Sequence, residues 1–321
     1  MKYIYFLLLT VYSLNIYANE NKITVNNTFQ LLTAISSTDD SSENKRYLIE
    51  LNPGIYKLNR RQIKLNRYVR LQGSGVSQTI IQSSRFYSGG GLNFPPIHSC
   101  IISADDSVGT SLSDLSVHNF GTYTESDSAC GFSNLDRVDN VKIHVRVSAG
   151  IAFGGSAKHI NNSQILVDNK LKTGRTYGSI LFSMNSNIYD TNIELGGNSS
   201  ARSYGIYIED GSLKLDNVDI LATSTAVEVF LANTDISNSN LRSRLETTYI
   251  SDQSYGDQIR FSKIQAMNSE NAVEVKSTVG QTEEFERRIF SSIVDGNIVE
   301  DEPDAIKCGL VLNPDMESID C

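Results

Sequence analysis

Beyond its first eighteen residues the chain has no apolar run long and uncharged enough to cross a bilayer, which takes roughly 20 consecutive apolar positions, so no transmembrane helix is expected. It also lacks a basic tract: 28 Lys and Arg are spread among 37 Asp and Glu, giving a formal charge of −9, and a nucleic-acid partner is disfavoured. Cysteine is scarce, and none of the four lies in a CxxC or beside a His at ligand spacing, so neither a zinc site nor a dithiol redox centre is expected. Histidine is equally scarce. His98, His118, His144 and His159 stand apart with no HExxH between them, and each reads as a turn or surface residue.

What is present begins with Met1 to Ala18, where Lys2 precedes an apolar stretch from Ile4 to Leu14 and Ile16-Tyr17-Ala18 offers a cleavage site. Residues 1–18 are therefore expected to be a secretory signal peptide, leaving a secreted or periplasmic chain, 19–321, with no membrane contact after cleavage. Loss of Lys2 takes the formal charge to −10. No cysteine follows the cleavage site to take a lipid. An oxidising compartment suits Cys100, Cys130, Cys308 and Cys321 as disulfides; three connectivities are possible, of which the two local ones would each close a short loop. An acidic surface repels polyanions, so an anionic polysaccharide would need a local arginine cluster or bridging divalent cations.

A degenerate unit recurs: an apolar residue, two polar residues, an apolar residue or small hydroxyl, a polar residue and a further apolar one. It begins at Leu112, Val138, Ile160, Ile188, Leu215, Ile236, Phe261 and Phe290, with spacings of 21 to 29 residues, too short for a βαβ unit and too irregular for ankyrin or leucine-rich repeats. A second short strand follows within each unit, opened by a small residue, as in Gly178-Ser-Ile-Leu-Phe182, Gly205-Ile-Tyr-Ile208 and Ala226-Val-Glu-Val229. Such strands cannot bury an apolar face alone. Each coil must stack on the next, roughly 4.8 Å away, which predicts an all-β, right-handed parallel β-helix in one domain. Asn140, Asn162, Asn217 and Asn238 recur at one place in the unit and are expected to form a structural ladder bonded to backbone.

An open-ended solenoid needs caps. Phe29 to Ile35 has helical apolar spacing, with Asn27 or Thr28 as N-cap, and residues 19–45 are expected to form the N-terminal cap. Coils are expected over 46–307, about ten with the first rungs included. Residues 308–321 would be a disulfide-closed C-terminal cap.

The stretch Tyr47-Leu-Ile-Glu-Leu-Asn-Pro-Gly-Ile-Tyr-Lys-Leu58, followed by Ile63-Lys-Leu65, Val69-Arg-Leu-Gln-Gly-Ser-Gly75 and Thr79-Ile-Ile81, resembles the first coils of the pectin-lyase-like superfamily. The resemblance implies the fold, not the reaction, because lyases, hydrolases, epimerases and adhesins share it. No Asp-His, Gly-His-Gly or Arg-Ile-Lys occurs, so the pectate lyase and polygalacturonase signatures are missing, and no enzyme subfamily is matched.

One signature repeats in consecutive coils: Arg175-Thr-Tyr177-Gly178 and Arg202-Ser-Tyr204-Gly205. Stacked arginines flanked by tyrosines could bind a carboxylate or sulfate on a sugar. The structural alternative, which stands ahead because like residues stack in solenoids, is that Tyr177 and Tyr204 form an ordinary aromatic ladder, with each Arg covering it or pairing with Asp168, Glu194 or Glu209. Lys172, Glu125 and Asp127 lie in neighbouring loops. A lyase would need a base and a neutraliser for the sugar carboxylate, calcium among the options, whereas a hydrolase would need paired carboxylates, for which Asp105 with Asp127 is the candidate pair. Two functions fit: a monomeric carbohydrate-active β-helix that binds or processes an extracellular polysaccharide as a lyase, glycoside hydrolase or epimerase, or a non-catalytic adhesin-like, glycan-binding or structural module.

Overall fold

The computed structural model describes residues 20–88, 99–121, 127–147, 151–169, 175–197, 202–252, 256–276, 287–300 and 306–319. Their strands stack almost entirely in parallel into three sheets that wind together for about nine turns, with 69% of the chain in strand. The first sheet runs from Glu20–Val25 against Arg46–Leu51 up to Ile306–Cys308. The second starts at Gly54–Lys57 and ends at Val311–Leu312. The third runs from Ile63–Leu65 to Asn297–Glu300. Single strands can pass through more than one sheet: Asp127–Val147 contributes in turn to the third, first and second.

The recurrent unit is the bend from the first sheet to the second. Its opening apolar residue (Leu112, Val138, Ile160, Ile188, Leu215, Ile236) and its closing one (Val117, Ile143, Ile165, Ile193, Ile220, Leu241) point inward and are buried. Each such side chain removed from water is worth about 1.5–3 kcal/mol. Between them one residue takes a left-handed conformation: Asp114, Asn140, Asn162, Asp190, Asn217 and Asn238 all have φ between 45° and 56°. Asn and Asp tolerate that region best among non-glycine residues, which explains their column. Three of the asparagine side chains bond to side chains of the preceding coil: Asn140 donates to Asp114, Asn217 to Asp190 and Asn238 to Asp216. Backbone contact comes from their own N–H groups, as in Asn217 to the Ser237 carbonyl.

The last two units begin at Ile259 and Ile289 and not at Phe261 and Phe290. Ile259 pairs with Ile236 and Ile289 with Ile259, while Phe261 occupies the left-handed corner, φ 49°, with its ring exposed. An aromatic residue where six preceding coils carry Asn or Asp shifts the apparent periodicity.

Helix α1, Thr28–Ser36, closes the N-terminal end, and Asn27 is its cap: its side chain accepts from the Gln30 N–H at 3.0 Å. Leu31 and Ala34 face the core and Phe29 faces solvent. Both terminal boundaries shift outward from expectation. Glu20–Val25 is already a rung beneath Arg46–Leu51, and the coils continue to Leu312 before the tail bridges back from Ser318.

Candidate functional site

The strands of the second sheet hand over to those of the third through the segments 148–150, 170–174 and 198–201, and the Arg-Tyr signature opens the third sheet beside them. Arg175 and Arg202 are register partners at the first residues of Arg175–Tyr189 and Arg202–Asp216, and Tyr177 lies over Tyr204. The two tyrosine rings stack with centroids 5.2 Å apart at 16°. They are 3% and 8% exposed and pack with Ile180 and the Cys100–Cys130 disulfide in an apolar cluster separate from the main core. The tyrosines thus form the aromatic ladder that the repeated signature allowed. Tyr207 borders the cluster and donates to Glu209 at 3.3 Å; burial, then Glu209 and Glu228, hold its hydroxyl well above the usual phenol range. The side chains of Arg175 and Arg202, and the whole of Lys172 and Glu125, lie outside the described residues.

The proposed carboxylate pair is not brought together. Asp105 is exposed in an ion pair with Lys64, and its carbonyl accepts from Asn134, seven residues along the strand from Asp127. At roughly 3.3 Å per residue that spacing far exceeds the roughly 5–10 Å a glycosidase pair spans. The side chain of Asp127 lies outside the described residues, and its backbone pairs with Ser88. Cys100 and Cys130 are bonded as register partners in adjacent coils. Cys308 is also disulfide-bonded, and Cys321 lies outside the described residues.

Coil stacking assembles a group that the linear sequence hides. His118 is the register partner of His144 on the outer face of the second sheet, with Phe120 and Arg146 paired beside them. The Phe120 ring meets His144 edge-on at 4.8 Å and 85°, and the two imidazoles lie 5.9 Å apart. His144 Nε2 is 3.2 Å from Asp168 Oδ2, a residue 24 positions later. Burial, with His144 and Lys142 nearby, pushes His118 down to about 4, so it stays neutral at pH 7. The available sequence signal was a spacing: His118, His144 and Asp168 occur at intervals close to the coil length. His159 is elsewhere, exposed on the first sheet beside Asn187, and His98 lies outside the described residues. Among the described residues, no three of His, Cys, Asp and Glu converge to hold a metal.

The described strands form an almost entirely parallel, right-handed β-solenoid closed at one end by a short helix, the fold expected from the recurrent unit. No known sequence family matches the chain, and no curated protein does. Among solved structures it is similar to the A-module of a mannuronan C-5 epimerase from Azotobacter vinelandii, with 13% identity, 89% of this chain and 94% of that one covered, and a TM-score of 0.42. It is also similar to a DFA-IIIase from Arthrobacter chlorophenolicus, with 12% identity, 91% of each chain covered and a TM-score of 0.42. A pectin methylesterase from Erwinia chrysanthemi gives 10% identity, 88% and 80% coverage and a TM-score of 0.35.

Proposed function

We propose that the chain is an exported β-helix protein that binds an acidic extracellular polysaccharide across the corner between the second and third sheets. The register of Arg175 over Arg202 carries this reading: two guanidinium-bearing residues one coil apart, on an otherwise acidic protein, favour anionic groups repeated along a polymer. The buried disulfide Cys100–Cys130 and the apolar leader support export. The test is calorimetric titration of the chain, with and without calcium, against a polyuronate, a sulfated glycan and a neutral glucan. Binding to the acidic polymers alone is expected, and Arg175→Ala with Arg202→Ala should weaken it at least tenfold. Unchanged affinity in that double variant places the site elsewhere.

Recognition without backbone cleavage is the second reading, favoured by the burial of Tyr177 and Tyr204 and by the separation of Asp105 from Asp127. New reducing ends or an unsaturated sugar product from the bound polymer would rule it out.

A further inference from the structure

The outer face of the second sheet carries one imidazole built into a fixed position. The Nε2 of His144 lies 3.2 Å from Asp168 Oδ2; in the neutral ring the tautomer that donates from Nε2 to the carboxylate leaves the Nδ1 lone pair to accept a proton. The ring packs edge-on with Phe120 at 4.8 Å and faces His118 on the adjacent coil at 5.9 Å. Asp168 is held just as closely. It overhangs Gly196, where a Cβ would come 2.2 Å from its Oδ1, so the carboxylate occupies space that only glycine leaves. The pair is open to solvent, with side chains 21% and 34% exposed. Arg146, exposed, is the register partner of both Phe120 and Asp168, and Lys142 stands two residues before His144.

We propose that His144 is a general base for the hydrolysis of acyl esters carried by the polysaccharide, with Asp168 as its positioning residue; this rests on the binding reading above. His144 Nδ1 takes a proton from water as the water oxygen bonds to the acyl carbon. The tetrahedral intermediate then collapses, the bond between acyl carbon and sugar oxygen breaks, and that oxygen leaves with the proton from His144. The products are a carboxylic acid and a free sugar hydroxyl. Arg146, two residues along the same face and the register partner of Asp168, would supply the cation that stabilises the oxyanion. An ester fits this group better than a glycosidic bond, which needs carboxylates on opposite sides of the sugar. Here Asp168 is engaged with His144, and Glu194 sits in the next coil on the same face, not across from it.

The experiment measures acetate release by the full chain from an O-acetylated polyuronate and from an acetylated monosaccharide, with binding to the polymer followed separately by calorimetry. His144→Ala should lower the rate about 10²–10⁴-fold on both substrates while polymer affinity stays unchanged. His144→Gln serves if the alanine variant melts early. Asp168→Asn and Gly196→Ala should each lower kcat roughly tenfold or more with KM unchanged, a split that a merely structural role would not produce. Wild-type release no faster than that of His144→Ala, on either substrate, would overturn the assignment, as would an unsaturated sugar formed in place of acetate. His144-dependent release from the monosaccharide without polymer binding would retain the dyad and remove the polysaccharide reading instead.

Discussion

At Gly178 a methyl group would lie 2.3 Å from Ile193 Cγ2 and 2.5 Å from the Gly205 carbonyl oxygen, and Gly131, Gly154 and Gly205 meet the same two kinds of neighbour. The glycines form an inward column where the third sheet approaches the isoleucines of the second too closely for any side chain. Gly178→Ala is expected to cost about 1–3 kcal/mol, read as a lower urea midpoint at unchanged slope, because a backbone oxygen cannot yield. His118 makes a second residue-level prediction. Its folded value, about 4, lies below the 6.5 of an ordinary imidazole, so the unfolded chain binds the extra proton between those limits. The stability this represents is present above pH 6.5 and lost as pH falls toward 4. His118→Gln should therefore flatten the drop in melting temperature between pH 7 and pH 4.5, and an unaltered drop would refute the burial argument.

Among elements, the bend from first to second sheet depends on a hydroxyl ladder. Ser163, Ser239, Ser262 and Ser292 each accept from a backbone N–H of the preceding coil, at 3.2–3.3 Å, and donate to the carbonyl two residues before themselves, at 2.7–3.0 Å. The left-handed corner interrupts regular pairing, and a small hydroxyl repairs it. Ser239→Ala leaves the buried Val218 N–H without that acceptor and should cost about 1–3 kcal/mol. The capping helix offers a milder test: Asn27→Ala removes the acceptor for Gln30 N–H, an expected loss of about 1 kcal/mol in a denaturant titration.

For the whole molecule, coils contact only their neighbours, so a link between adjacent coils restrains the unfolded chain more than it changes the folded one. Cys100 and Cys130, 30 residues apart and fully buried, form such a link. Replacing both by alanine is expected to lower stability by about 3 kcal/mol with the far-ultraviolet spectrum unchanged. A different spectrum would mean that the bond defines the coil path.

The parallel β-helix was legible in the chain because its forces are local and periodic: inward apolar residues at recurring steps, Asn or Asp at six successive left-handed corners, and a capped helix from Asn27. Legibility failed where a residue broke the period, as Phe261 did by occupying a corner that Asn or Asp holds in six earlier coils. The register of Arg175 over Arg202 and Tyr177 over Tyr204 could be read too, since identical signatures open consecutive coils. Whether those tyrosines face solvent could not, because burial depends on what covers a column, and that is a property of the packed molecule. The His144–Asp168 pair was decided by the tertiary structure, the sequence offering only a spacing close to the coil length. Its members come from different coils and share no local motif, and only the lateral offset of one coil on the next, with space left by Gly196, brings Nε2 to the carboxylate.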